Sequence, residues 1–224
     1  MSQRHIHSPS ALMQVVPVSG TRKRQAYEHF LKRAMDLFGS GFLLCLLSPM
    51  FLVVALLIWI SDGRPVLYPR RVVGSRGEFD AYKFRTMLRN ADAILAADPE
   101  LRDAFTRDFK LKSDPRVTQV GTWLRKYSLD ELPQLVNVLR GQMSLVGPRM
   151  ITKEELSKYG QYRELLVTVK PGLTGYWQVR GRQDVSYEER VRMDVQYITQ
   201  WSLGLDLMIL FQTPFRVIRG EGAY

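Results

Sequence analysis

From Leu37 to Ile60 the chain is almost wholly apolar, reading LFGSGFLLCLLSPMFLVVALLIWI. About 20 apolar residues are enough to cross a bilayer as a helix, so length alone allows a single transmembrane span. Ser48–Pro49, in the middle, points elsewhere. Proline deletes one helical hydrogen bond and crowds the preceding turn, which predicts a bend, with the Ser48 hydroxyl placed to take up a freed carbonyl. Both flanks are also basic: Arg22, Lys23, Arg24, Lys32 and Arg33 before the segment, Arg64, Arg70, Arg71 and Arg76 after it. Lys/Arg-rich flanks favour the cytoplasmic face. The two flanks are reconciled if the segment enters one leaflet, turns at Ser48–Pro49 and returns. Each arm is then about 18 Å long at ~1.5 Å per residue, near half a bilayer. A re-entrant helical hairpin is the preferred expectation, ahead of a single span and of a buried core helix, which would show a polar face.

Three stretches follow from this reading. Residues 1–25 mix Ser, Pro, Gly and basic residues without apolar periodicity and are expected to form a flexible tail, not a secretory signal. Residues 26–62 form the membrane helix, and residues 63–224 a small polar domain. The expected fold class is α+β, mostly helical, with short strands and amphipathic interface helices. A lone cysteine, Cys45, excludes an internal disulfide, and one Cys with His5, His7 and His29 is too few soft ligands for a zinc cluster. The net charge of +10 favours an anionic partner: nucleic acid, acidic lipid or a phosphorylated substrate.

In the polar domain, Val66–Tyr68, Val72–Val73 and Phe79–Phe84 read as short strands around the turn signal Gly74–Gly77. Thr86 to about Phe109 reads as one helix. Asp130 is placed to N-cap a helix whose first turn holds Pro133, or Ser128 and Glu131 form a capping box; that helix ends near Gly141. Shorter helices are expected near Lys153–Tyr159 and Arg163–Val169, then a glycine-punctuated loop or strand from Lys170 to Arg182. An amphipathic helix covers Tyr187–Tyr197, and the apolar run Leu203–Phe215 carries Trp201 and Phe211 at a membrane interface. Asp184, Asp194 and Asp206 read as caps or surface acids.

The adjacent acids Asp130 and Glu131 lie among cations: Arg116, Arg125 and Lys126 before them, Arg149 after them in Gly147–Pro148–Arg149. Helix capping and chemistry explain the pair equally well by spacing. In the chemical reading one carboxylate attacks phosphorus and its neighbour holds Mg²⁺, a hard cation that takes carboxylate and phosphate oxygens. Lys83, Arg85, Arg125 and Arg149 sit beside apolar or turn residues, a placement that suits a phosphate clamp better than solvated surface charge. Trp177, with Arg180 and Arg182, is either a packed aromatic beside an exposed loop or a stacking platform for a base. No Walker or dinucleotide-binding glycine pattern occurs.

Taken in order, Tyr82–Lys83–Phe84–Arg85–Thr86–Met87, Asp114–Pro115–Arg116–Val117–Thr118, Leu124 through Leu135, Ser144 through Arg149 and Pro171 through Arg182 resemble the bacterial sugar transferases, the monotopic phosphoglycosyl transferases. The resemblance runs from about Lys32 to Tyr224 and is to the compact form, without additional N-terminal membrane helices. It implies an enzyme of the inner membrane's cytoplasmic face that starts exopolysaccharide assembly. Such an enzyme moves a hexose-1-phosphate (galactose first, glucose second) from a UDP-sugar to undecaprenyl phosphate and releases UMP. By resemblance Asp130 is the nucleophile of a ping-pong cycle, and Glu131 binds Mg²⁺ or assists deprotonation of the acceptor. Lys83, Arg85, Arg125, Pro148, Arg149, Trp177 and Arg182 then surround the phosphates and nucleotide, and Ser48–Pro49 breaks the membrane helix. Membrane lipids and downstream glycosyltransferases are the implied partners, with no nucleic acid and with a homo-oligomer compatible. One departure falls near this site: Met150 follows Pro148–Arg149 where the family often has a second proline. The rival expectation, from the charge, is a basic membrane-tethered protein that binds nucleic acid or anionic lipid.

Overall fold

The structure, a computed structural model, describes residues 22–108, 111, 114–180 and 185–219. The expected tail up to residue 21 with His5 and His7, and also Arg182 and Asp184, lie outside the described residues. The described chain is mostly helical with a few short strands.

Helix α1 runs unbroken over Arg22–Asp62 with Pro49 inside it, so helical backbone continues across the expected break. Ser48 Oγ donates to the Cys45 carbonyl at 2.9 Å, the oxygen four residues back that Pro49 has no N–H to reach. One stripe of α1 docks along the rest of the protein, through Lys32, Asp36, Ser40, Leu44, Phe51, Val54 and Ile58. The opposite face is apolar and open, with Phe38, Phe42, Leu46, Leu52, Val53 and Ile60 exposed.

The first half of α1 docks through polar groups. Lys32 Nζ donates to Asp206 Oδ2 at 2.6 Å and to the Val146 carbonyl at 3.0 Å. Arg33 takes the Val138 and Leu139 carbonyls at 2.8 and 2.9 Å, and Asp36 Oδ1 accepts from Ser144 Oγ and Leu145 N at 2.9 and 2.8 Å. The far half docks through Val54 and Ile58, packed with Phe84 and Leu124. There Arg85 donates to the terminal carbonyls of Asp62 and Gly63 at 2.9 and 2.8 Å, satisfying acceptors that a helix end leaves free.

Strands β1 (Leu67–Gly74) and β2 (Gly77–Phe84) form an antiparallel hairpin in register from Leu67↔Phe84 to Gly74↔Gly77. The two strand fragments expected before the turn are thus one strand; Pro69 is tolerated because β1 has a partner on one side only. The single helix expected after Thr86 is two, α2 (Ala91–Ala97) and α3 (Pro99–Asp108), because Pro99 drives Asp98 out of the helical region and starts a new helix.

Helix α4 (Gln119–Lys126) is N-capped by Thr118, whose hydroxyl accepts from Gly121 N at 2.9 Å. Gly121 lies against the Thr86 carbonyl so closely that a Cβ would collide with it. A 3₁₀ turn (Leu129–Gln134) leads into α5 (Leu135–Leu139), which closes at Gly141 in the left-handed region as its sequence predicts. Next come β3 (Ser144–Val146), a 3₁₀ segment (Glu155–Tyr162), α6 (Arg163–Leu166), β4 (Gly172–Thr174), α7 (Tyr176–Arg180), α8 (Tyr187–Thr199) and α9 (Leu203–Arg219). The expected loop or strand at 170–182 thus divides into β4 and α7. Strands β3 and β4 pair in parallel. At and beside this pair the two segments cross at Gly147, Gly172 and Gly175, where side chains would strike backbone.

Two acids expected at caps or the surface are buried instead. Asp194 and Asp206 expose 1% and 0% of their surface, each held by hydroxyl or cationic partners that sequence spacing does not reveal.

Asn137 locks α5 to the hairpin. Its amide donates to the Asp80 carbonyl and Gln142 Oε1, both at 2.8 Å, and accepts from Tyr82 N at 3.0 Å, within two residues of Lys83. Asn137→Ala strands buried groups on β2 and is expected to lower unfolding stability by about 2–4 kcal/mol in detergent-solubilised protein. Chemical denaturation reads this directly, and a loss below about 0.5 kcal/mol would show that packing alone places the hairpin.

Candidate active site

The acid pair enters its place through a backbone device. Helix α4 ends at Tyr127, and Ser128 then takes a left-handed conformation (φ 54°) that turns the chain into the 3₁₀ turn. Asp130 and Glu131 are that turn's second and third residues. Neither expected cap forms: Asp130 lies one residue inside the turn, and Ser128, at the cap position, makes no side-chain cap bond. Glu131 is instead committed to Arg149, which grips its carboxylate with both terminal nitrogens at 2.7 and 3.4 Å. A bidentate charge-assisted pair outcompetes a backbone cap.

Asp130 is buried, yet no described residue donates a hydrogen bond to its carboxylate. Around it stand Lys83 from β2, Arg125 from α4 and Arg149 from the turn after β3, all in electrostatic contact with it. Arg70, read in the sequence only as a flanking cation, joins them by acting on Lys83 and Glu131. Arg125 is aimed by Thr86, whose Oγ1 accepts from its Nε at 2.9 Å; the crossing of α4 over Thr86 at Gly121 fixes that contact.

The two neighbouring carboxyls are driven in opposite directions. Burial, reinforced by Glu131, pushes Asp130 above the usual carboxylate range against the pull of Lys83, Arg125 and Arg149. Burial would push Glu131 up as well, but Arg149, then Lys83 and Arg70, outweigh it and hold Glu131 below that range. Burial pushes the Lys83 ammonium down to about 8, with Asp130 opposing and Arg70 and Arg125 adding to the shift. Adjacent acids pushed apart in this way can take different roles.

The other predicted site residues divide. Pro148 is buried in the turn that presents Arg149, its carbonyl accepting from Gly172 N at 2.8 Å. Trp177 is buried in α7 with the Arg149 and Arg190 guanidiniums 6.0 and 4.8 Å from its ring, so it supports Arg149 and is not an open platform. Arg85 is not brought to the pair: it is buried against the end of α1, facing the Asp62 carboxylate at 3.0 Å. Arg116 is likewise turned away, paired with Asp114 through two contacts of 2.8 Å. For a cation, the donor set is the two carboxylates; no cluster of three or more His, Cys, Asp or Glu occurs among the described residues. That set fits Mg²⁺, which completes its shell with water and substrate phosphate oxygens.

Comparison with known proteins gives the following. The family model described as bacterial sugar transferase matches residues 27–220. The chain is 46% identical over 203 residues to an undecaprenyl-phosphate galactose phosphotransferase of Salmonella typhimurium, covering 87% of this chain and 42% of that protein. It is 44% identical over 198 residues to the exopolysaccharide production protein ExoY of Rhizobium meliloti, covering 86% of this chain and 88% of that one. It is 45% identical over 199 residues to a UDP-galactose-lipid carrier transferase of Erwinia amylovora, again spanning 42% of the relative.

A diphosphate bound beside Lys83 favours the ammonium and therefore raises its pKa above the value of about 8 in the free protein. Affinity for pyrophosphate is expected to hold below that pH and, relative to Lys83→Gln, to fall by up to about tenfold per pH unit above it. Calorimetric titration of both proteins from pH 7 to 9.5 reads the difference. Parallel profiles would remove Lys83 from the phosphate site.

Proposed function

Because this chain belongs to the bacterial sugar transferase family, we propose that it transfers a hexose-1-phosphate from a UDP-sugar to undecaprenyl phosphate, releasing UMP. Galactose-1-phosphate is the first choice of cargo, since two relatives are named for galactose, and glucose-1-phosphate the second. The name of the Rhizobium relative supports a place in exopolysaccharide synthesis. The observation that carries the reading is a buried Asp130 that accepts no hydrogen bond from the described residues, beside an anchored Glu131, with Lys83, Arg125 and Arg149 converging on it.

In the proposed cycle an Asp130 oxygen attacks the β-phosphorus of the UDP-sugar. The bond from that phosphorus to the bridging oxygen breaks, and UMP leaves with the electron pair. Lys83, Arg125 and Arg149 offset the charge that accumulates on the phosphoryl oxygens. A phosphate oxygen of undecaprenyl phosphate then attacks the same phosphorus, and Asp130 departs as a carboxylate. Glu131, kept ionised by Arg149, and Asp130 would hold Mg²⁺, which neutralises phosphate charge when bound. The lipid-linked product would pass to glycosyltransferases that extend it.

For topology we propose that α1, within residues 26–62, is embedded from the cytoplasmic face of the inner membrane and returns to it, leaving residues 63–224 as the catalytic domain. The support is that both halves of α1 dock on one domain, Lys32 at one end and Asp62 at the other, while its outer face stays apolar. The exposed stripe Leu207, Phe211, Phe215 and Ile218 on α9 adds a second apolar surface suited to the interface. No observation favours the nucleic-acid-binding alternative: Lys32, Arg70, Arg85, Arg116 and Arg149 are all paired with acids inside the protein.

Purified protein supplied with Mg²⁺, undecaprenyl phosphate and UDP-galactose or UDP-glucose is expected to release UMP, and Asp130→Asn to lose about three orders of magnitude or more of that turnover. Absence of UMP from every UDP-sugar tried would sink the enzymatic reading, and wild-type turnover in Asp130→Asn would remove the nucleophile. For topology, single cysteines placed before residue 22 and after Asp62, in a Cys45→Ser background, are expected to react from the cytoplasmic side alone. Labelling from opposite sides would restore a single span.

A further inference from the structure

Helices α1 and α4 meet at the short segment that follows β2. That strand ends at Phe84, and the next two residues, Arg85 and Thr86, are 7% and 2% exposed. Arg85 is held by the end of α1. Its N–H donates to the Val66 carbonyl at 2.9 Å, and its Nη2 meets the Asp62 and Gly63 carbonyls and, at 3.0 Å, Asp62 Oδ2. Gly63, in the left-handed region (φ 70°), closes α1 there by donating to the Trp59 carbonyl at 2.9 Å. Arg85 Nη1 is buried without a partner, so the attachment runs through Nη2.

Thr86 is held by α4. Its carbonyl accepts from Thr118 N at 3.0 Å, and its Oγ1 accepts from Arg125 Nε at 2.9 Å. A guanidinium donates along one edge that includes Nε and along another formed by its two terminal nitrogens. Thr86 takes Nε. Among the described residues nothing accepts from the terminal nitrogens of Arg125, and no carboxylate pairs with it. Arg125 is therefore anchored at its base and unengaged at its tip. A single planar peptide separates the two anchors, so a displacement of Arg85 is passed to Thr86.

We propose that Arg85 and Thr86 couple the far end of α1 to the aim of Arg125: the helix end holds Arg85, Thr86 beside it holds Nε, and the terminal nitrogens are thereby presented to the phosphoryl oxygens of the substrate. Both are positioning residues and neither touches the substrate. Packing of Leu124 on Val54 and Ile58 also brings α4 to α1, but apolar contact has no direction and leaves a guanidinium free to rotate. The hydrogen bonds supply the direction. The proposal rests on the reading of Arg125 as a ligand of the transferred group, and it gives α1 a task in the reaction besides embedding the protein.

Solvent exchange of the Arg125 Nε–H tests the coupling without using activity. It is followed by ¹⁵N NMR in detergent-solubilised protein, the signal being assigned by its loss in Arg125→Lys. Thr86→Val keeps the shape, removes the acceptor and is expected to speed exchange about tenfold or more. Arg85→Met keeps the buried stem, removes the donor to α1 and is expected to speed exchange about threefold or more, although it leaves Thr86 and Arg125 intact. The Ser144 amide, bonded to the Pro171 carbonyl at 2.9 Å, is expected to stay within about twofold in both, whereas general loosening would expose it too. Thr86→Ala and Arg85→Gln stand in for a variant that does not fold. In the UMP-release assay, Thr86→Val and Arg85→Met are each expected to lower kcat about tenfold, and Thr86→Ser to stay within about threefold of wild type. In Arg125→Lys, which has no Nε–H to aim, Thr86→Val is expected to cost less than about twofold. Exchange unchanged by Arg85→Met, or the full loss of kcat from Thr86→Val persisting in Arg125→Lys, would overturn the coupling. A wild type that releases no UMP from any UDP-sugar, with exchange responding as stated, would overturn the proposed reaction and leave the coupling standing.

Discussion

The position of the long apolar helix α1 depends on one buried carboxylate. Asp206 has no exposed surface, and its two oxygens receive Lys32 Nζ at 2.6 Å, the Tyr197 hydroxyl at 2.7 Å and Trp201 Nε1 at 3.1 Å. Those partners come from α1, α8 and the turn before α9, and Lys32 adds the Val146 carbonyl on β3. An apolar helix has no reason to choose one rotation or depth against a polar domain, since apolar burial is non-directional. A desolvated ion pair does choose, because breaking it leaves an uncompensated charge in the interior. The Arg33 and Asp36 contacts repeat the constraint one turn along. Together they bind the first half of α1 to α5 and to β3, the strand from which the turn carrying Arg149 departs.

The same logic runs through the site. Lys83 lies on a hairpin, the acid pair on a 3₁₀ turn, Arg125 on α4 and Arg149 after β3, so their convergence is a problem of registering separate elements. Small and polar residues solve it. Gly121 lets α4 press onto Thr86, Gly147 and Gly172 let two chains cross at backbone distance, and Asn137 bonds β2 beside Lys83. What results is a division between adjacent acids. Glu131 is held ionised by Arg149 and is immobilised, while Asp130 is desolvated, accepts no hydrogen bond from the described residues and is raised. In the proposed reaction, an Asp130 oxygen that no described residue engages keeps its lone pairs for the phosphorus.

Legibility in the sequence follows the range of the forces. The apolar segment, the hairpin around Gly74–Gly77 and the Gly141 helix end were readable because each depends on neighbours within a few residues. The motifs around Lys83, the acid pair and Arg149 were readable as a resemblance, and the family is borne out. Reading failed wherever a charge has a distant partner. Arg85 looks like a phosphate ligand beside Lys83, yet its partner is the end of α1, 23 residues back. Asp194 and Asp206 look like caps in their helices, yet their partners are Tyr159 and Lys32, 35 and 174 residues away. The available clue was period: Asp194 falls on the buried stripe of α8 with Val191 and Tyr197.

By itself the sequence determined that a long apolar helix with basic flanks precedes a polar domain, and that an acid pair sits amid phosphate-suited cations. Hydropathy and turn chemistry act locally and need no knowledge of what lies across the fold. Only the tertiary structure decided which cations face Asp130 and which are consumed elsewhere, and that Asp194 and Asp206 are buried. Desolvation and ion pairing depend on separations of a few ångströms between residues far apart in the chain, and the folded arrangement alone sets those separations.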